Sequence, residues 1–173
     1  MGKFEYENNR ITTALLLAAG TGSRLQPLTN DVPKCLTEVS GVSILERLTL
    51  CLRQHGFERL IVVVGYLDSC IRRFPGNSIN GLTIDYIVNY QYRTTNNIYS
   101  LWLARKMIDE PFLLVESDIV FDAFLLENML YPDCIAVSRI LPWMSGTTAT
   151  VNRSLRVLAL NSGQRRCCGR IQP

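Results

Sequence analysis

Leu17-Ala18-Ala19-Gly20-Thr21-Gly22-Ser23-Arg24-Leu25-Gln26-Pro27-Leu28-Thr29, followed by Pro33-Lys34-Cys35-Leu36, is the stretch on which the reading of this chain turns. The apolar run from Thr13 to Ala19 has the length and composition of a buried strand. It delivers the backbone to a loop with two glycines and one hydroxyl between them, then to an arginine and, further on, a lysine. Glycine lets main chain approach a ligand closely, since no Cβ intervenes and positive φ costs little. Successive N–H groups can then converge on phosphate oxygens as an anion-binding nest. Arg24 adds a planar fork, and Lys34 adds a point charge on a flexible stem. These ingredients suit a polyphosphate, as in a nucleoside triphosphate.

Two common phosphate loops fit the segment poorly. The dinucleotide fingerprint requires a third glycine where Leu25 stands, and the Walker loop requires Gly-Lys-Ser/Thr, which is absent. The string instead resembles, nearly position for position, the signature of the nucleotidyltransferases that activate sugar phosphates and phosphocholine. That resemblance implies a Rossmann-like α/β fold, a mostly parallel sheet flanked by helices. It also implies roles. Gly20, Thr21, Gly22 and Ser23 would cradle the phosphates, and Ala18 and Ala19 would offer backbone groups to the base. Arg24 would bind the β and γ phosphates, and Lys34 would stabilise the α-phosphate in the transition state. Asp118 would hold Mg2+.

The 173 residues fit one domain by length. With 47% hydrophobic and 19% charged residues the composition is globular, and a net charge of +3 is too small to argue for nucleic acid or a membrane surface. No apolar run reaches a membrane span. The run from Ala14 to Ala19 is too short for a signal-peptide core, and Tyr6 stands where a myristoylation site after Gly2 wants Ser or Thr. The expectation is a cytoplasmic protein without nucleic-acid or membrane partners, a homo-oligomer being left open. Cys35, Cys51, Cys70, Cys134, Cys167 and Cys168 show no C-x-x-C spacing, and His55 is the only histidine, so reduced thiols are expected rather than a zinc site. His55, before Gly56, reads as a helix-terminal residue. The sequon Asn152-Arg153-Ser154 is discounted for want of an export signal.

Short apolar runs alternate with amphipathic stretches, the pattern of an α/β protein. It predicts strands at 13–18, 59–65, 84–88, 112–117 and 134–138, and helices at 43–55, 67–74, 98–109 and 122–130. Ser43 with Glu46 resembles a capping box. Ligands of such sheets bind beyond the carboxyl ends of the strands. The Gly20 loop, Gly65-Tyr66 and Glu116-Ser117-Asp118 all fall there, and Gly65 joins the nucleotide-binding set.

Asp118 also reads as a helix N-cap; the family resemblance turns it into a magnesium ligand, with Glu116 assigned either to the ion or to the loop. Asn97 caps the helix beginning at Ile98 on the simplest reading. The longer string Asn96-Asn97-Ile98-Tyr99-Ser100-Leu101 is similar to one in the phosphocholine and aminoethylphosphonate cytidylyltransferases, which favours CTP over UTP or dTTP and adds Asn97 to the nucleotide site. Asn89-Tyr90-Gln91-Tyr92-Arg93 could line the same pocket, a role that sequence does not fix.

The reaction implied is transfer of CMP from CTP to a small phosphorylated or phosphonylated acceptor, with release of pyrophosphate. A phosphate monoester is largely dianionic at neutral pH, so the acceptor needs no general base. The alternative acceptor is a sugar 1-phosphate with UTP or dTTP. The division read from sequence is an N-terminal extension at 1–12, an incomplete nucleotidyltransferase domain at 13–160 and an irregular tail at 161–173. The resemblance stops near Leu160, and the arginine- and cysteine-rich ending reads as prematurely ended. The competing expectation is therefore an inactive nucleotide-binding remnant or regulatory module, with strands 147–151 and 156–160 presenting an exposed edge.

Overall fold

The computed structural model describes residues 10–139, 141 and 146–161; the irregular tail with Cys167 and Cys168, and most of the N-terminal extension, lie outside the described residues. Chain contacts group the chain into two units, Met1–Cys134 and Ile135–Pro173.

The first unit is built on β1 (Thr13–Ala18), β4 (Arg59–Val64), β6 (Leu82–Val88) and β7 (Phe112–Glu116), with the short β5 (Ser78–Ile79) at one end. The order is β5-β6-β4-β1-β7, all parallel except the β5–β6 pair. β1 is therefore inside the sheet, between β4 and β7, and all six of its residues are buried. Strand alternation sorts the core into two layers. Ala14, Leu16 and Ala18 face one way with Leu60, Val62 and Val64, against Leu45, Leu48 and Leu52 of α1 (Ile44–Gln54). Leu15, Leu17 and Ala19 face the other way with Ile61 and Val63, against Leu101 and Ala104 of α3 (Asn97–Ala104). A strand covered on both faces must be apolar throughout, which is why β1 and β4 read as unbroken hydrophobic runs.

Local chemistry sets the ends of α1. Ser43 Oγ accepts from Glu46 N at 3.2 Å. Gly56 at φ 75° closes the helix, with Gly56 N donating to Arg53 O and Phe57 N donating to Leu52 O, both at 3.0 Å. That is the paired carbonyl capture of a Schellman end. His55 sits at this terminus, its Nδ1 2.8 Å from Cys51 O. Two short hairpins join the scaffold. Ser40 and Gly41 turn β2 (Glu38–Val39) into β3 (Val42–Ser43), and Asn80 and Gly81 turn β5 into β6; all four turn residues have positive φ, as two-residue hairpin loops of this kind require. Two further short helices are α2 (Asp68–Arg73) and α4 (Phe124–Glu127).

Three sequence-based expectations need correction. No strand forms at 134–138; Ile135 and Val137 are exposed, and no described strand pairs with them. The expected helix at 98–109 ends at Ala104, where Met107 N bonds Ala104 O in a turn leading to β7. The expected helix at 122–130 shrinks to α4, whose first turn is held by Asp122 Oδ1 accepting from Phe124 N at 2.9 Å.

In the second unit, β8 (Thr148–Val151) and β9 (Val157–Asn161) form an antiparallel pair. Asn152 Oδ1 accepts from Ser154 N and Arg156 N at 3.0 and 2.9 Å, shaping the turn that contains the sequon. Cys35 and Cys51 are buried free thiols, Cys70 is half-buried and Cys134 exposed. Among the described residues no helix is long and apolar enough to cross a membrane.

Candidate active site

β1 ends at Ala18, and the chain runs through buried Ala19 to exposed Gly20. A Cβ placed on Gly20 would meet nothing within 4 Å, so the loop opens there onto free space. Gly22 is the opposite case. Its φ is 70°, and a Cβ would lie 2.9 Å from both Lys34 Cγ and Thr29 Cγ2. Thr29, fully buried, donates its hydroxyl to Gly22 O at 2.8 Å, pinning the loop from below. From Gly22 the chain enters a short 3-10 turn, Ser23–Leu25, that leaves Arg24 exposed. Arg24 makes no hydrogen bond or ion pair among the described residues, so its guanidinium is uncommitted beside the loop.

Lys34 opens a second 3-10 turn, Lys34–Leu36, directly after extended Pro33. Its stem packs on Gly22, and its Nζ donates to Asp118 Oδ2 at 2.9 Å. The lysine thus spans from the loop after β1 to the chain just past β7, which is β1's parallel neighbour. Asp118 is not the helix cap that sequence allowed: α4 begins only at Phe124, with Ala123 at its N-cap.

A second contact at the same end of the sheet involves Asn97 and Glu116. Asn96, not Asn97, caps α3, with its Oδ1 accepting from Ile98 N and Tyr99 N at 3.1 and 3.4 Å. Asn97 is thereby free to donate Nδ2 to Glu116 Oε1 and Oε2 at 3.0 and 2.9 Å. Burial pushes the Glu116 carboxyl above its ordinary value, the nearby Asp118 charge adds to this, and the Asn97 amide and Lys34 oppose it. Glu116 therefore ties α3 to β7.

On the other side of β1, Gly65 follows β4 so closely that a Cβ would stand 2.8 Å from Ala19 O and 2.8 Å from Tyr92 Cβ. Tyr66 N donates to Ala19 O at 3.0 Å. The Tyr66 and Tyr92 rings lie 6.3 Å apart, and Arg93 Nε donates to Tyr92 OH at 3.3 Å. Buried Asn89 organises the turn before them, donating to Thr95 and Ser100 hydroxyls and accepting from Gln91 N. Thr29 stood in the signature without a role of its own, Tyr66 was noted only as following a strand, and Tyr92 only within a stretch that could line the pocket. For the tyrosines the readable signal was their position just past β4 and β6.

A glycine loop, a lysine bonded to a carboxylate, an arginine and a second carboxylate thus stand at the carboxyl ends of the parallel strands of an α/β sheet. The sequence profile of the nucleotidyl transferase family matches residues 13–132, and the chain belongs to that family. It is 38% identical over 137 residues to the CMP-5'-(3-aminopropyl)phosphonate synthase of Streptomyces rubellomurinus, covering 78% of this chain and 22% of that protein. It is also 38% identical over 110 residues to the UTP–glucose-1-phosphate uridylyltransferase AglF of Haloferax volcanii, covering 64% of this chain and 44% of that one. Against these relatives the chain spans less than half of their length. The solved structure of CTP:phosphocholine cytidylyltransferase from Streptococcus pneumoniae superposes with a TM-score of 0.69 at 24% identity, over 88% of this chain and 64% of that one. It shares the fold.

Proposed function

We propose that this site transfers a nucleotidyl group, CMP from CTP, to a small phosphorylated or phosphonylated acceptor with pyrophosphate leaving. The observation that carries the reading is Lys34, which lies along Gly22 and reaches Asp118 at 2.9 Å. One side chain links the phosphate loop after β1 to the carboxylate after β7. Membership of the nucleotidyl transferase family supports the reaction class. Similarity to a CMP-phosphonate synthase and the Asn96–Leu101 string support cytidine over uridine.

In this reading the Gly20–Gly22 backbone, Thr21 and Ser23 receive the triphosphate, and Arg24 binds its terminal phosphates. Ala18, Ala19 and Gly65 flank the base, with Asn97 set at the start of α3. Lys34 meets charge as it develops at the α-phosphorus. An acceptor already ionised at neutral pH attacks without a general base, so the protein's work is alignment and charge neutralisation.

Magnesium fits the donor set at Asp118. The carboxylate already faces a cationic group, while Glu116 is taken up by Asn97. Among the described residues no three His, Cys, Asp or Glu side chains cluster as metal ligands. A hard ion held by one or two carboxylates and otherwise by phosphates and water suits such a sparse site. Bound there, magnesium would screen the phosphates during transfer.

Thermal melts with Mg2+ and each of CTP, UTP, dTTP and ATP test the reading. Saturation to a hundred times the dissociation constant adds about 2.7 kcal/mol of stability, and CTP is expected to act at the lowest concentration. Equal shifts for all four would remove the cytidine assignment, and no shift would remove the nucleotide site. Pyrophosphate release from CTP with phosphocholine or 2-aminoethylphosphonate then tests the acceptor class.

A further inference from the structure

Lys34 and Asp118 are the two residues given the most chemical work above, and they are bonded to each other. The ammonium is the more enclosed partner, with 19% of its side chain exposed against 35% for the carboxylate. Among the described residues Lys34 is the one cation paired with Asp118, since Glu116 next to it is engaged by the neutral Asn97 amide. The base of the lysine is fixed: its backbone opens a 3-10 turn behind Pro33, and its Cγ rests against Gly22. Beyond Cγ a lysine is a flexible chain of rotatable bonds, so its ammonium can change partner without a backbone change.

We propose that Lys34 and a divalent cation are alternative partners of Asp118, so that the cation displaces the lysine and the lysine is handed to the triphosphate. This rests on the reading of the site as a triphosphate site. The charges follow from the geometry. A lysine leaving Asp118 uncovers a carboxylate beside the second carboxylate of Glu116, and a dication restores neutrality there. An anion lying in the Gly20–Gly22 loop faces the Lys34 stem, and so offers the displaced ammonium its nearest new partner. Each ligand then removes the cost of binding the other, which makes metal and nucleotide binding mutually reinforcing by the same factor. The lysine thus sits on the phosphates most fully when a cation has taken its former place.

The test is titration of the chain with Mn2+, free ion being followed by electron paramagnetic resonance, with and without CTP, for the wild type, Lys34→Met, Lys34→Arg and Asp118→Asn. Without nucleotide, Lys34→Met is expected to bind Mn2+ about tenfold more tightly than the wild type, within the usual range of coupling between sites. Lys34→Arg keeps a cation at Asp118 and should bind Mn2+ as weakly as the wild type. CTP should tighten Mn2+ about tenfold in the wild type and much less in Lys34→Met, and Asp118→Asn should weaken Mn2+ throughout. Circular dichroism establishes that each variant is folded; if Lys34→Met is not, the same comparison is made with Lys34→Gln. Equal or weaker Mn2+ binding by the folded neutral variant would overturn the exchange, because the lysine would then share Asp118 with the ion. Tighter Mn2+ binding by Lys34→Met with no effect of CTP on any protein would support the exchange and overturn the nucleotide reading instead.

Discussion

Asn97 donates its amide to both oxygens of Glu116, at 3.0 and 2.9 Å, and so fastens the first residue of α3 to the last residue of β7. Removing that amide in Asn97→Ala leaves a half-buried carboxylate short of donors. Such a loss costs about 1–3 kcal/mol when fully buried, and partial exposure places the expected cost near the lower bound. Asn97→Asp should cost more, because it sets two carboxylates against each other. Asn96→Ala, which removes only the helix cap, should cost about 1 kcal/mol and leave the Glu116 contact intact. Thermal melts of the three variants check the order.

The two loop glycines should respond differently to alanine. Gly22→Ala meets both positive φ and contacts of 2.9 Å with Lys34 and Thr29, so stability should fall by at least the ~1–2 kcal/mol of a left-handed L-residue. Gly20→Ala has open space around the new methyl and should leave stability within about 0.5 kcal/mol. If the triphosphate lies over the loop, that same methyl obstructs it, and CTP affinity should drop while the melting temperature holds. Unchanged CTP binding by Gly20→Ala would move the phosphates elsewhere.

Gly65→Ala forces a methyl to 2.8 Å from Ala19 O, a backbone atom, and to the same distance from Tyr92 Cβ. Overpacking of this kind costs about 1–3 kcal/mol. Urea unfolding should show a lower midpoint with an unchanged slope.

Cys35 supplies a prediction about pH. Burial pushes its thiol from the ordinary 9.0 up to about 12. The folded protein therefore keeps this proton where the unfolded chain has lost it. The resulting stability is fully present below pH 9 and is lost as pH rises from about 9 towards 12. Cys35→Ser or Cys35→Ala should flatten this alkaline decline in a series of urea melts. Mass mapping after alkylation of the native protein at neutral pH should find exposed Cys134 modified and Cys35 untouched.

What sequence could read was decided by what local residues determine. β1 was placed at 13–18, as found, because a strand buried on both faces leaves an unbroken apolar run. The α1 ends were legible from Ser43 and Gly56, whose roles are local. Cys134–Ser138 was misread because its alternation is strand-like, while a strand also needs a partner that no propensity supplies. Asn80-Gly81 carried a strong hairpin signal that was left unused. The Gly20 loop and Lys34 were named from the signature, and Asp118 from its place at a strand end with the family resemblance, but the bond between Lys34 and Asp118 was not visible. It joins positions far apart in the chain through the parallel pairing of β1 with β7. The split of work between Asn96 and Asn97 was likewise hidden, since either asparagine suits a cap and only the position of Glu116 distinguishes them.

The place of β1 in the sheet order also has a bearing on how the chain acquires its structure. Thr13 pairs with Arg59 on one side and with Phe112 on the other, so the second pairing closes a loop about twice as long as the first. Closing longer loops costs more chain entropy before any contact repays it. The glycine turn and the lysine belong to the early stretch, whereas Asp118 arrives with the strand recruited at the greatest separation. The Lys34–Asp118 contact therefore depends on the pairing that closes the longer of the two loops, and it reports on whether β7 is in place.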